Sequence, residues 1–379
     1  MRERRWRYGW SHCFQAGVLT ACITVTGWPP VAAQYVYFTN QTAVQRVDLQ
    51  SPDVIETLVP DQVWPLAIAL DAAAGKVYWT DATIARILRA NLDGSDVEPL
   101  VTTGIAFPAG LALDLGEGKM YWGDRDLPGV SRANLDGSDP EVIVPGVHSL
   151  GVALDLPGGK VYWTEEQARI GRANLDGSDA ETVIDDLVSP NAIALDLDEE
   201  MLYVTDEGPA KVIRAALDGS GEEPILSGDG INPFGIALDL DEGKVYWSDL
   251  ATGVSRRSNL DGSDAEDIFL AAWSFGLALG WLEAPPQFLR GDTDSNGRLE
   301  ITDAVVTLGS LFLGFPAPHC LDAADSDDNG DINITDAVYV LNYLFTGGSA
   351  PPPPGPGACG ADPTSDALPA CPAACGKGG

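Results

Sequence analysis

One tetrapeptide, an aromatic pair followed by a small residue and an acid, returns along this chain at nearly constant spacing. It reads Tyr37-Phe38-Thr39-Asn40, Tyr78-Trp79-Thr80-Asp81, Tyr121-Trp122-Gly123-Asp124, Tyr162-Trp163-Thr164-Glu165, Tyr203-Val204-Thr205-Asp206 and Tyr246-Trp247-Ser248-Asp249. The tyrosines lie 41, 43, 41, 41 and 43 residues apart. A small-apolar run ending in Asp recurs with it, at Ala67 to Asp71, Gly110 to Asp114, Gly151 to Asp155, Ala192 to Asp196 and Gly235 to Asp239. A sixth copy, Gly276 to Leu279, ends in Gly280 instead. Periods of ~40–45 residues belong to propeller blades or helical arrays. Alternating hydrophobicity and β-branched and aromatic content select strands. Asp93-Gly94, Asp136-Gly137, Asp176-Gly177, Asp218-Gly219 and Asp261-Gly262 supply the hairpin reversals. With Gly 42 and Pro 27 in 379 residues, the chain is built for many short strands rather than long helices.

The order of the copies predicts a topology. In the interior each small-apolar strand precedes its tyrosine strand, so the two are neighbours in one blade. The first tyrosine strand lacks that partner, and a spare partner stands near residue 276. Pairing strands from both chain ends closes a ring and removes a sheet edge. The fold class expected is mainly β, a six-bladed β-propeller over residues 34–285 closed by strands from both ends, with a small α-helical module after it.

Acidic side chains number 56 against 22 basic ones, a formal charge of -34. That balance excludes sequence-independent binding to nucleic acid, which needs a basic face. Residues 1–33 run from Arg2, Arg4, Arg5 and Arg7 through an apolar stretch to Val31-Ala32-Ala33, the order of a secretory signal peptide. Leu19-Thr20-Ala21-Cys22 is a rival reading, a lipobox that would leave a lipidated Cys22. The expected location is secreted, periplasmic or at the cell surface. The apolar stretch is too short to span a bilayer, and no membrane span is expected later. Cleavage removes four Arg and one Glu and takes the charge from -34 to -37. The remaining cysteines, Cys320, Cys359, Cys371 and Cys375, can form disulfides in three connectivities, with metal ligation as the other reading.

The Tyr-Trp-Thr-Asp signature followed by a Leu-Asp-Gly-Ser turn resembles the class B repeat of the LDL-receptor family. The resemblance covers about two thirds of the chain and implies a propeller that binds a protein or peptide. Phe38, Asn40, Gly123, Glu165, Val204 and Ser248 depart from the pattern. Read from the residues, the repeated Asp ties neighbouring blades through backbone hydrogen bonds, and Tyr and Trp fill between sheets. Arg46, Arg89, Arg132, Arg172, Arg214 and Arg257 recur with the strands and are read as inter-blade partners. Residues that do not repeat are the better candidates for function. Trp64, Phe107, His148, Asn191, Phe234 and Trp273 precede the innermost strands and are expected to form a partly aromatic ligand-binding floor at one mouth of the channel, or merely to plug it. An enzyme reading, a calcium-dependent lactonase-like propeller hydrolase, has Ser189-Pro190-Asn191 and Asn232 in its favour; no catalytic residue set stands out.

The C-terminal segment carries two twelve-residue loops with oxygen side chains at positions 1, 3, 5 and 12 and glycine at position 6. Asp292, Asp294, Asn296 and Asp303 form the first set, with Gly297 at the turn, Arg298 giving a backbone carbonyl and Glu300 acting through water. Asp325, Asp327, Asn329 and Asp336 form the second, with Gly330, the Asp331 carbonyl and Asn333. Two Ca2+ ions are therefore expected. Helices are predicted over Ala304 to Leu313 and Ala337 to Phe345, with no entering helix before either loop. Ile301 and Ile334 are expected to anchor the loops to a small core.

Asp rather than Glu at position 12, in a duplicated loop-helix unit, is similar to type I dockerins over residues 289–347. The resemblance implies docking onto a cohesin-like partner, with Ile301, Thr302, Ile334 and Thr335 choosing it. The Ile-Thr pairs differ from the Ser-Thr usual in cellulosomal dockerins. A calcium-stapled stability module without a partner is the alternative. Residues 348–379 read as a stiff Pro/Gly/Cys-rich tail. The combined expectation is an exported binding protein, with a propeller hydrolase or a structural surface component as alternatives.

Overall fold

The structure is a computed structural model that describes residues 33–228, 230–282, 288–355 and 368. The signal-like segment, Cys359, Cys371 and Cys375 lie outside the described residues. Six four-stranded antiparallel sheets make up the repeat region. The first joins β1 (Ala33–Thr39), β2 (Val44–Asp48) and β3 (Ile55–Val59). The second runs β4 (Pro65–Asp71), β5 (Lys76–Asp81), β6 (Arg86–Asn91) and β7 (Glu98–Val101). The third is β8 (Pro108–Asp114), β9 (Lys119–Asp124), β10 (Gly129–Asn134) and β11 (Glu141–Pro145); the fourth is β12 (Ser149–Asp155), β13 (Lys160–Glu165), β14 (Arg169–Asn174) and β15 (Glu181–Asp185). The fifth holds β16 (Pro190–Asp196), β17 (Met201–Asp206), β18 (Lys211–Ala216) and β19 (Glu223–Ser227). The sixth holds β20 (Pro233–Asp239), β21 (Lys244–Asp249), β22 (Val254–Asn259) and β23 (Glu266–Leu270). The remaining strand, β24 (Leu277–Leu282), lies beside β1 with Val36 opposite Leu279 and Tyr37 opposite Ala278.

Each part of the tetrapeptide has its own task. The tyrosines and Trp79, Trp122 and Trp163 are buried between sheets and are among the largest side chains of the core. The hydroxyl at the third position joins blades. Thr80 Oγ1 accepts from Ala67 N of its own inner strand at 3.0 Å and donates to Ala109 O of the next at 2.9 Å. Thr164 repeats this with Gly151 N and Asn191 O, and Thr205 with Ala192 N and Phe234 O. The third blade has Gly123 instead, and a Cβ there would fall 2.3 Å from Ser149 Oγ, which fills the gap.

The acid at the fourth position accepts backbone hydrogen bonds, as expected, with donors in the connection between blades. Asp124 accepts from Ala106 N, Phe107 N and Leu127 N, and Asp206 accepts from Val188 N and Ser189 N. It holds the connection arriving from the previous blade rather than bridging two sheets. The arginines do reach the next blade: Arg89, Arg132, Arg172 and Arg214 donate to the carbonyls of Leu135, Leu175, Leu217 and Leu260 beside the Asp-Gly turns.

Inner strands approach so closely that only glycine fits at some positions. A Cβ on Gly235 would lie 2.0 Å from the carbonyl oxygen of Phe275, just before β24. Gly235→Ala should therefore cost about 3 kcal/mol through forced backbone displacement, read as a lower Tm. An unchanged Tm would show that the ring can expand there.

The C-terminal module contains α1 (Ile301–Phe312), α2 (Leu321–Ala324) and α3 (Ile334–Thr346). Both long helices start three residues before the predicted Ala304 and Ala337, because Asp303 and Asp336 at the end of each loop form capping boxes with Glu300 and Asn333. The single turn of α2 precedes the second loop, where no helix was expected. Ile301 and Ile334 are each 52% exposed, so they do not anchor a core. Ala304, Ala337 and Val340 do that instead, packed with Leu308 and Leu341. The first residues of the expected tail fold back: Arg290 N donates to Pro354 O at 2.8 Å, and Pro351 and Pro354 are buried.

Candidate functional site

One end of the propeller channel opens into a cavity of about 570 Å3. A repeated backbone bond builds its rim. The residue after each tetrapeptide donates to the carbonyl of the residue entering the inner strand: Ala82 to Trp64, Arg125 to Phe107, Glu166 to His148, Glu207 to Ser189 and Leu250 to Asn232. Both residues of this bond line the cavity in the third blade, Phe107 and Arg125, and one of the two does so in the others, Trp64, Glu166, Ser189 and Leu250.

Five of the six residues expected at the floor, Trp64, Phe107, Asn191, Phe234 and Trp273, line this cavity. His148 does not; its Nδ1 donates to the Arg125 carbonyl at 2.7 Å. The expected set also mixes two registers. Ser189 and Asn232 are the equivalents of Trp64, while Asn191 and Phe234 sit two residues further along, level with Leu66 and Phe275. Arg125, Glu166, Leu250 and Phe275 are lining residues that sequence reasoning missed. The signal was available: position five, after the acid, reads Ala82, Arg125, Glu166, Glu207 and Leu250, a varied place in an otherwise regular repeat.

The mouth has two unlike sectors. On one side Trp64 stacks on Phe275 at 5.4 Å, and Phe234 meets Phe275 edge-on at 5.5 Å. Trp64 remains 39% exposed and Trp273 48% exposed. Both tryptophans hold a positive φ, 67° and 59°, a conformation that costs a bulky residue about 1 kcal/mol or more. On the other side the Glu207 carboxylate accepts from Asn191 Nδ2 at 3.2 Å and Asn232 Nδ2 at 3.0 Å. Arg125 lies over the Phe107 ring at 3.7 Å and pairs with Asp126 at 2.9 Å.

In the C-terminal module, Asp292, Asp294 and Asp303 each bring a carboxylate oxygen within 4.8 Å of the others, and Asp325, Asp327 and Asp336 do the same. The loops shape this through their own backbones. Gly297 N and Asn296 N donate to Asp292, and Gly330 N and Asn329 N donate to Asp325. Ser295 and Asp328 take φ near 60° at the matching position of each loop. Burial raises Asp292, pushes Asp303 up to about 7 and pushes Asp336 up to about 6. Three hard oxygen donors per loop, costly to ionise without a cation, suit calcium. Glu300 and Asn333 are the N-cap residues of α1 and α3. Arg298 N and Asp331 N donate to Asn296 and Asn329. Thr302 and Thr335 are exposed beside Ile301 and Ile334. Cys320 is disulfide-bonded and buried against Phe288 and Ala323.

Sheet order and repeat define a six-bladed β-propeller. Within it, residues 75–115 and 159–197 match the low-density lipoprotein receptor repeat class B. A chain of the crystal structure of a nidogen/laminin complex superposes with a TM-score of 0.59 at 21% identity, covering 65% of this chain and 98% of that one. A TolB structure from Agrobacterium tumefaciens superposes at 0.54 with 11% identity, covering 66% and 99%. At these identities the likeness concerns the fold. No curated protein sequence matches the chain. No helix among the described residues is long and apolar enough to cross a membrane.

Proposed function

We propose that the chain is an exported binding protein whose propeller mouth takes a protein or peptide segment. The observation that carries this reading is the pair of exposed tryptophans, Trp64 and Trp273, held at positive φ beside the cavity. Strain at exposed aromatic residues is retained where a ligand needs them. The fold shared with a chain of a nidogen/laminin complex supports a protein ligand. The C-terminal module is read as a calcium-dependent, dockerin-like unit that docks the chain onto a cohesin-like partner or a surface assembly. Residues 1–33 act as its export signal, with lipidation at Cys22 as the rival outcome.

Trp273→Gly separates fold from function. It should raise stability by up to ~1 kcal/mol, because glycine accepts φ 59°. It should also weaken capture of the ligand by about 2 kcal/mol, as should Trp64→Ala. Affinity purification from the extracellular fraction of the source, comparing these variants with the intact chain, makes the measurement. Equal capture by all three moves the binding site away from the mouth. Turnover of a lactone by the intact chain would favour the propeller hydrolase instead.

A further inference from the structure

Two sets of repeating bases in the propeller are each paired with an acid. Arg46, Arg89, Arg132, Arg172, Arg214 and Arg257 pair with Glu56, Glu98, Glu141, Glu181, Glu223 and Glu266. Nearer the mouth, Arg86, Arg169, Lys211 and Arg256 each meet the acid that ends the second strand of their own blade. Many other acids of the propeller have no ion pair among the described residues, and two of these stand at or beside the mouth: Glu166 lines the cavity and Glu207 is bound by Asn191 of the lining. Neither Glu166 nor Glu207 has a salt-bridge partner among the described residues, and both belong to the varied position five. Among the described residues Arg125 is the only Lys or Arg in the cavity lining; its guanidinium pairs with Asp126, lies over Phe107 and feels the Glu166 charge more weakly. Glu207 is fixed in place by two amides that supply hydrogen bonds without charge.

From this we infer that the ligand of the mouth is a peptide segment bearing a lysine or arginine next to an apolar side chain. The cation would meet Glu166 and Glu207, and the apolar side chain would lie on Trp64, Trp273 and Phe275. This inference rests on the proposed binding role of the mouth and adds its ligand chemistry. A neutral ligand would desolvate the Glu166 carboxylate without supplying a new ion pair, and an acidic one would be repelled. A cation beside exposed indole faces also gains cation–π attraction. The field of the chain favours the same partner, since its formal charge of -34 draws basic segments and accelerates their encounter.

The test is selection of random heptapeptides displayed on phage against the intact chain, followed by binding measurements with synthetic copies. Enriched peptides should carry Lys or Arg adjacent to an aliphatic or aromatic residue. Replacing that Lys by norleucine should weaken binding about ten-fold, as should Glu166→Gln. The Glu166 side chain has no hydrogen bond among the described residues, so this variant should fold unchanged; Glu207→Gln is the second variant. Added salt should slow association of the wild type more than of Glu166→Gln. A free polyamine should compete poorly, because it offers nothing to the tryptophans; competition as strong as the peptide's overturns the peptide assignment. Enrichment of neutral or acidic peptides that need Trp64 but ignore both glutamates overturns this inference and leaves the proposed function standing. Failure to enrich any peptide sensitive to Trp64→Ala overturns both.

Discussion

Withdrawing calcium from the intact chain is expected to unfold the C-terminal module while the six sheets persist. Asp292, Asp294 and Asp303 crowd into one site and Asp325, Asp327 and Asp336 into another, and like charges at that spacing oppose compaction unless a divalent ion offsets them. At a hundred-fold excess over Kd each ion stabilises by about 2.7 kcal/mol, so two ions are decisive for a module of this size. Calorimetry should register about two calcium equivalents. Chelator should remove the helical part of the circular dichroism signal. Asp303→Ala should empty the first loop and Asp336→Ala the second.

The effect depends on pH in a definite direction. The folded-state values of Asp303 and Asp336, about 7 and about 6, exceed that of an unfolded aspartate, burial being the chief cause. Without metal, the stability they contribute is fully present at low pH and is lost as pH rises through about 6 to 7. Calcium requires both ionised, so its affinity climbs over that interval and binding expels protons. Chelation should thus be most damaging at pH ~8, above both values. A helical signal indifferent to chelator at that pH would refute the metal assignment.

The second large effect is expected at Arg290. This guanidinium is fully buried, pairs with Asp328 at 3.0 Å, and donates to the carbonyls of Asp325, Asp322 and Pro353. It joins the start of the module, its second acidic loop and the Pro351 to Pro354 segment. Arg290→Met should destabilise the module by about 3–5 kcal/mol, because it leaves a carboxylate and carbonyls without their cation. It should also lower calcium affinity at the second loop more than at the first, where Ser295 stands in place of Asp328. Equal loss at both loops would mean that Arg290 supports the module only as packing.

The interval of 41 to 43 residues was enough to identify blades and count them, because each blade's hydrogen bonds and aromatic fillers lie within one repeat and leave a local signature. The two acidic clusters were legible for the same reason: the carboxylates of each come from twelve consecutive residues and are brought together by local turns. The exposure of Ile301 and Ile334 was not legible, since helical spacing alone cannot tell which face meets the other helix. Nor was the place of the repeated acid's donors, which lie in a connection rather than a sheet. The mouth was legible only in part. Its tryptophans are conspicuous in sequence, but the setting of Glu166, Arg125 and Phe275 beside them, and of Asn191 and Asn232 on Glu207, depends on ring closure. The ring gathers four or five residues from each of six blades whose separation along the chain carries no trace of the contact, so tertiary structure alone decides what the ligand would meet.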